Sequence, residues 1–272
     1  MLQPGKSITQ AYEVKNLGDS VLYLKSFISP FAPDPESGQI VYQSLLSPGQ
    51  QPEFKLNNAN LSLNDTFVLQ PNESQQLVLK VSTPQNLPEN DYYFTFFVSH
   101  SSPGELLKKT GSSFQAQIGS HLLLTVSQAG EFDFNGQIAR FEALPKITDL
   151  GEKINFDLIV ANGGQALFKA NGKIEIFDWL GKKKKEIILR PDNVLVNSQR
   201  KIVCLDEPCS FSSFWPGHYR AVITVFDLSR SIYFWILPTK LALALTIGLI
   251  VLKLVLDKRK KNGKHIIYND MP

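Results

Sequence analysis

The chain has 272 residues, of which 43% are hydrophobic and 19% charged, and this balance excludes a chain that is mainly disordered. The length exceeds one small sandwich domain and fits two domains with a tail. The net charge of +3 lies after Leu256, where five basic residues stand against two acidic ones, so the rest of the chain is neutral. A neutral folded part argues against nucleic acid as a partner.

Two stretches of the sequence repeat one pattern. GKSITQAYEVKNLGD begins at Gly5 and GEKINFDLIVANGGQ begins at Gly151, and each alternates apolar with polar residues before an Asn/Gly turn. Asn16 and Asn162 stand at the same offset in the two stretches. Such alternation predicts a strand with one solvent-exposed face that runs into a turn. The repeat therefore predicts two related domains in tandem.

The closing strands of the two halves are also similar. A turn, a tyrosine and an alternating apolar run follow one another at Tyr92 and again at Tyr219. A tyrosine at this place in an immunoglobulin-like domain bonds back to the preceding corner. With many short strands and little helical periodicity, the pattern predicts an all-β chain of two tandem immunoglobulin-like β-sandwiches followed by a single transmembrane α-helix. The two sandwiches are predicted at residues 1–127 and 128–230.

A lysine run follows the predicted strand IEIFDWL and precedes the apolar residues IIL. We interpret it as the solvated turn of a hairpin, and the alternative is an anion-binding tip for wall polymers or lipid headgroups. Trp179 stands beside the run and is predicted to pack in the sandwich, with a role as a contact residue as the alternative. The candidate binding residues of this segment are Trp179, Lys182, Lys183, Lys184 and Lys185.

The two cysteines, Cys204 and Cys209, are five positions apart. In an oxidising exterior a local disulfide is the simplest interpretation, and a redox pair or half of a metal site are the alternatives. The four histidines are far apart, and the sequence has no HExxH, G-x-S-x-G, P-loop or Gly-rich dinucleotide motif. We therefore expect no enzyme, no catalytic residue, no metal site and no cofactor.

The segment WILPTKLALALTIGLIVLKLVL, which ends at Leu256, predicts a membrane anchor at residues 231–256. At about 1.5 Å rise per residue it is roughly 33 Å long, enough to cross a bilayer core. Tyr233, Phe234 and Trp235 are predicted to form an aromatic belt at its start, and residues 257–272 a basic cytoplasmic tail. A buried core helix is the alternative, but the segment is apolar on all sides. This orientation places the sandwiches outside the cell.

The start of the chain, Met1-Leu-Gln-Pro-Gly, does not have the composition of a signal peptide. Either the sequence begins after its true start, or the chain is inserted tail-first with its domains in the cytoplasm. The second route would carry a strongly basic tail across the membrane, so we favour the first.

The N-terminal residues LQPGKS, the following VKNLGD, which begins at Val14, and SGQIVY, which begins at Ser37, resemble those of bacterial surface proteins known as WxL-interacting proteins. The layout of two immunoglobulin-like domains, one transmembrane helix and a short basic tail is similar too. The resemblance implies a cell-surface role in which wall polymer and partner surface proteins are bound without catalysis. It assigns no particular binding residue.

The leading hypothesis from the sequence is a membrane-anchored, non-enzymatic cell-surface protein for adhesion, scaffolding or binding of wall polymer or another surface protein. Its partners are then the lipid bilayer, through the C-terminal helix, and a surface protein or wall polymer. The alternatives are a chaperone-like assembly factor at the outer membrane face and a tail-anchored cytosolic adaptor. Addition of a strand at a sheet edge is the mode of protein binding that we expect.

Overall fold

A computed structural model describes residues 1–44, 47, 49–100, 116–130, 135–206 and 208–266, with side chains as far as residue 258. The chain divides into two compact units. Unit 1 consists of Met1–Gln137, Val160–Lys169 and Asn193–Arg200, and unit 2 of Ile138–Ile159, Ala170–Asp192 and Lys201–Pro272. The domain boundary between residues 127 and 128 stays a prediction.

The first sandwich consists of two antiparallel sheets. Its strands are β1 (Ser7–Lys15), β2 (Leu22–Pro33), β3 (Ile40–Tyr42), β4 (Glu53–Leu56), β5 (Thr66–Leu69), β6 (Ser74–Ser82), β7 (Asn90–His100) and β8 (Gln117–Val126). One sheet has the order β1-β6-β4 and the other the order β3-β2-β7-β8, with β5 paired to β2. The alternation in β6 turns Leu77, Leu79 and Val81 inward, where they pack with Phe96 and Val98 of β7.

The second sandwich also consists of β-sheets. Its strands are β9 (Gly136–Leu144), β10 (Ile147–Thr148), β11 (Ile154–Asn162), β12 (Phe168–Ala170), β13 (Gly172–Phe177), β14 (Lys183–Ile188), β15 (Asp192–Val194), β16 (Ser198–Lys201), β17 (Ser210–Phe211), β18 (Gly217–Val225) and β19 (Leu228–Ile236). One sheet has the order β10-β19-β18-β13-β14, and another the order β16-β11-β17 with β9 paired to β11. Strands β12 and β15 form a separate ribbon. The predicted all-β class with two immunoglobulin-like sandwiches is confirmed.

The repeated asparagines make the same bonds in their two settings. The Asn16 amide donates to the carbonyls of Ser20 and Leu69, at 2.8 and 3.1 Å, and its Oδ1 accepts the N–H of Gly18. Both asparagines are buried at the end of a strand. In each, the amide oxygen accepts a hydrogen bond from the backbone N–H two residues further along the chain. In the second copy the Asn162 amide donates to the carbonyls of Ala166 and Val194, and its Oδ1 accepts the N–H of Gly164. The sequence repeat is therefore a repeated turn that the asparagine side chain closes.

The two predicted tyrosine corners are present. The hydroxyl of Tyr92 donates to the carbonyl of Pro88 at 3.0 Å, and that of Tyr219 donates to the carbonyl of Trp215 at 2.9 Å. Each bond reaches four residues back along the chain, so each tyrosine fastens the turn that precedes its own strand.

One α-helix, α1 (Thr239–Ile266), follows β19 in the part of the chain that the structure describes. Residues Thr239–Lys258 have a mean hydropathy of 2.1 and are not buried, so by length and composition they can span a membrane. The predicted helix start at residue 231 is wrong, because β19 continues to Ile236. The predicted tail is helical as far as Ile266, and residues 267–272 lie outside the described part.

The predicted helix start is wrong because the side chains of β19 alternate between the core and solvent. Phe234 and Ile236 point into the core of the sandwich, while Tyr233 and Trp235 point to solvent. Phe234 therefore does not belong to the predicted aromatic belt, whereas the other two rings are exposed as a belt requires. A run of apolar residues does not by itself separate the last core strand from the first turn of an apolar helix.

The start of α1 is fastened to unit 2 by Asp149. Its carboxylate accepts the hydroxyl of Thr239 and the N–H of Lys240, both at 2.8 Å, and Glu152 forms an ion pair with the same lysine. Burial would raise the pKa of Asp149, but hydrogen bonds from Lys240 and Thr239 outweigh it and hold that pKa below its ordinary value. The carboxylate is therefore charged at neutral pH and caps the helix, and this contribution is lost only as the pH falls through the lowered pKa.

Candidate functional site

Strand β8 is the last strand of its sheet and pairs with β7 along its whole length. The carbonyl of Thr125 faces away from β7, because it accepts the N–H of Leu2 at 2.9 Å. Residues of an antiparallel strand bond alternately to the two sides, so the N–H and C=O groups of Gly119, His121 and Leu123 also face outward. Among the described residues no strand pairs with these outward groups.

The sequence of β8 does not protect this edge. Natural edge strands are usually blunted by charged residues, proline or bulges, because unpaired backbone groups invite another strand. Strand β8 reads QIGSHLLLTV over 10 residues, without charge or proline, and its register with β7 is regular. The edge strand β14 of the second sandwich, by contrast, begins with Lys183, Lys184 and Lys185. Lys183, Lys184 and Lys185 thus lie on this edge strand and not in the hairpin turn, and they give it charge of a kind that β8 lacks.

An apolar groove of about 130 Å³ lies beside this edge and between β8 and β1. Ile118, which is 66% exposed, forms part of its rim, and Phe96 and Val98 of β7 line it below. Tyr12 of β1 lines the opposite side and packs on Phe96 with ring centroids 4.9 Å apart. Burial raises the pKa of the Tyr12 hydroxyl, and a hydrogen bond with Ser120 opposes part of that rise.

The N-terminal segment already uses one end of the β8 edge. Leu2 donates to Thr125 and accepts from Ser127, at 2.9 and 3.2 Å, and thereby forms a parallel bridge with Val126. The edge therefore accepts backbone pairing. Beyond this bridge, towards Gln117, the part of the chain that the structure covers places no strand on the outward groups.

Unit 1 also holds a pocket of about 270 Å³ near Asp91. One carboxylate oxygen accepts the Tyr93 hydroxyl at 2.7 Å and the N–H of Leu167 at 2.6 Å. The other oxygen is buried and has no hydrogen-bond partner among the described residues. Because this oxygen is not accessible to solvent, the pocket does not present the carboxylate to a ligand. Burial raises the pKa of the Tyr93 hydroxyl far above its ordinary range.

The side chains of three of the four candidate lysines have partners, and two of these three find them within their own hairpin. Lys183 pairs with Glu175 and Glu186, Lys184 with Asp178, and the ammonium of Lys185 donates to a backbone carbonyl. Bonds to Glu186 and then Glu175 raise the pKa of Lys183, and the bond from Lys184 lowers the pKa of Asp178. Only Lys182, at the tip of the turn, has no such side-chain bond in the described part. The anion-binding tip stays a prediction.

The other candidate residues lie elsewhere in unit 2. Trp179 is exposed, so its predicted packing inside the sandwich is wrong: the hairpin turn begins at Asp178 and carries the indole outside. Cys204 and Cys209 are joined by a disulfide. In the part of the chain that the structure covers, no group of three or more His, Cys, Asp or Glu residues is placed to hold a metal ion.

The sequence did not direct us to Ile118 or to Gly119. A Cβ atom at Gly119 would lie 2.7 Å from Thr95 Cγ2 and 2.8 Å from Phe97 Cε1, so a larger residue there would require these side chains to shift. A glycine within a strand often marks a place where another backbone approaches closely. The absence of charge from an entire strand was the signal in the sequence that could have found this site.

No protein-family model matches the sequence, and no curated protein matches it, so the resemblance to WxL-interacting proteins stays a prediction. The fold is similar to a structure from a chaperone–tip adhesin complex of CFA/I fimbriae biogenesis, with 13% identity, a TM-score of 0.41 and coverage of 87% of this chain and 94% of that one. The class 5 fimbriae chaperone CfaA is 12% identical, with a TM-score of 0.39 and coverage of 87% of this chain and 95% of that one. A structure from the CsuC–CsuE complex of Acinetobacter baumannii is 14% identical, with a TM-score of 0.38 and coverage of 87% of this chain and 94% of that one. At these values the similarity carries no inference about function.

Proposed function

We propose that this chain is a membrane-tethered binding protein, without catalytic activity, that takes up an extended apolar segment of another protein as an added strand on β8. The observation that carries the proposal is an edge strand of 10 residues that lacks charge and proline and borders an apolar groove. This mode favours the chaperone-like assembly factor over adhesion to a wall polymer.

The backbone geometry supports a peptide as the occupant. Outward N–H and C=O groups recur at Gly119, His121 and Leu123, and only another extended peptide offers matching groups at the same period. Each new backbone hydrogen bond contributes about 1 kcal/mol. A glycan or a polyol phosphate has no such periodic donors and acceptors.

The groove supports an apolar occupant. An added strand places alternate side chains on the inner face of the sheet, where Ile118 and Val98 offer apolar surface. Burial of apolar area contributes roughly 25 cal/mol per Å². The partner segment is therefore expected to alternate apolar and polar residues, with the apolar set directed into the groove.

Helix α1 supports the proposed anchoring to a membrane. Residues Thr239–Lys258 carry a long apolar surface that is not buried, and basic residues follow Leu256. Under the positive-inside rule the basic end stays in the cytoplasm, so both sandwiches face outward. The proposed protein thus holds its partner segment on the outer side of the membrane.

The binding proposal is tested with synthetic 10-residue peptides, the length of β8, in which valine alternates with threonine. We expect binding to the full-length protein in nanodiscs, and a loss of at least about tenfold, or 1.4 kcal/mol, in Ile118→Asp, since the carboxylate would enter an apolar groove. Val41→Asp is the matched control, because Val41 lies on β3, the terminal strand at the opposite edge of the same sheet, and is 51% exposed. Fluorescence anisotropy measures the affinities.

A second set of peptides tests the pairing itself. N-methylation of the alternate amides that face β8 should abolish binding, while methylation of the other amides should leave it unchanged. On binding, the amides of His121 and Leu123 should gain protection from hydrogen exchange. Equal losses for the two methylated peptides, or equal affinities of Ile118→Asp and Val41→Asp, would exclude strand addition on β8.

The orientation is tested by protease treatment of intact cells that express the protein. One epitope is placed after Pro272 and another in the turn at Asp227, between β18 and β19. We expect loss of the second epitope and survival of the first, because the sandwiches face outward. Protection of both epitopes would place the sandwiches in the cytoplasm and favour a tail-anchored cytosolic adaptor.

A further inference from the structure

The most exposed aromatic residues of unit 2 lie on turns at one end of its sheet. Four large apolar side chains there, which we name the aromatic collar, are between 69% and 80% exposed. They are Trp179, Leu180, Phe214 and Trp215.

Strand register shows that this is the end from which α1 leaves. Gly217, the first residue of β18, pairs with Ile236, the last residue of β19. The turn with Phe214 and Trp215 precedes Gly217 directly, so it lies beside the start of the helix at Thr239.

The second turn of the collar is at the same end. Strand β13 ends at Phe177, which pairs with Arg220 near the start of β18, and the turn with Trp179 continues beyond it. A Cβ atom at Gly217 would lie 3.2 Å from Cδ1 of Trp179, so the indole rests against the start of β18. Gly181 closes this turn with a φ of 77°, a conformation that favours glycine.

Hydrogen bonds hold the collar in place. The carbonyl of Trp215 accepts the Tyr219 hydroxyl, and the N–H of Trp215 donates to Ser213 Oγ at 3.0 Å. Gly151 donates its N–H to the carbonyl of Ser213, and a Cβ atom at Gly151 would lie 2.6 Å from the ring of Phe214. The turn that holds Gly151 also contains Asp149, which caps α1. The collar and the helix start are therefore parts of one fastened structure.

We propose that the aromatic collar inserts into the headgroup region of the bilayer that α1 crosses, and that it fixes the second sandwich against the membrane surface. This inference rests on the membrane anchoring proposed above. Tryptophan and other amphipathic rings favour the membrane–water interface, and exposed apolar patches at rigid turns indicate a binding surface. The occupant is lipid because the collar lies at the end of the sheet from which the apolar helix leaves.

The test uses full-length proteins with a single tryptophan in phosphatidylcholine liposomes that contain lipids brominated near the headgroup or near the chain end. Trp179 and Trp215 are each kept alone, with the other native tryptophans replaced by phenylalanine. Two further proteins carry Leu249→Trp, in the middle of α1, and Asp227→Trp, at the far end of β18. The 9 residues of β18 separate Asp227 from the collar by roughly 26 Å.

We expect bromine near the headgroup to quench Trp179 and Trp215 several-fold more than the tryptophan at position 227. Bromine near the chain end should quench the tryptophan at position 249 most strongly. If position 249 is quenched while Trp179 and Trp215 behave like position 227, the collar does not enter the membrane and the anchoring stands. If position 249 is not quenched, the helix is not inserted, and both proposals are overturned.

Discussion

Replacement of Asn16 by alanine should destabilise the first sandwich by about 3 kcal/mol, since each buried polar group left without a partner costs about 1 to 3 kcal/mol. The side chain is buried and donates to the carbonyls of Ser20, Leu69 and Gln70, and it accepts the N–H of Gly18. Alanine fills part of the volume but removes all four of these bonds, although the carbonyl of Gln70 keeps the N–H of Glu73. Thermal unfolding in nanodiscs, with hydrogen exchange of β1 and β6, measures the loss.

Two further variants separate bonding from packing. Asn16→Asp keeps the shape but removes both amide donors and turns a carboxylate towards carbonyl oxygens, so it should be at least as destabilising as alanine. Asn60→Ala, at an exposed position, is the control and should be neutral within about 0.5 kcal/mol. Unfolding of Asn16→Ala at the same temperature as Asn60→Ala would show that water replaces the lost bonds.

The sequence was sufficient where the structure follows from local patterns. Alternation with a period of two is a property of a single strand, so β1, β11 and β18 could be predicted without their partners. The Asn and Tyr positions were recognisable because each bonds to backbone within a few residues. Trp179 could have been placed too, since the alternation that buries Ile174 and Ile176 leaves it out of phase.

The candidate site was not predictable in this way, because an edge is defined by what does not pair with it. The apolar residues of β8 are as compatible with a central strand as with an edge, and their pairing depends on β7 and on Leu2. The lysines of β14 illustrate the same point. Their charge suggested an anion site, and their role at an edge became visible only when the strand order was known.

Replacement of Phe234 by alanine should have the largest effect in the second sandwich, a loss of about 3 to 5 kcal/mol of folding free energy. The side chain is 0% exposed, and its ring lies 5.6 Å from that of Tyr219, 5.9 Å from that of Phe156 and 6.0 Å from that of Phe211. Alanine would leave a cavity between these rings, which belong to the separate strands β18, β11 and β17. The same unfolding measurement in nanodiscs gives the change.

Tyr233→Ala is the matched control, since Tyr233 is adjacent in β19 but 54% exposed, and we expect it to cost less than about 1 kcal/mol. The comparison also tests the assignment of Phe234, because a ring of a membrane belt would contribute to insertion rather than to folding. A destabilised Phe234→Ala protein that still partitions into membranes would show that folding of the sandwich and anchoring by α1 are separate. A stable Phe234→Ala protein that no longer partitions would instead place this ring at the membrane, which its burial against Tyr219 contradicts.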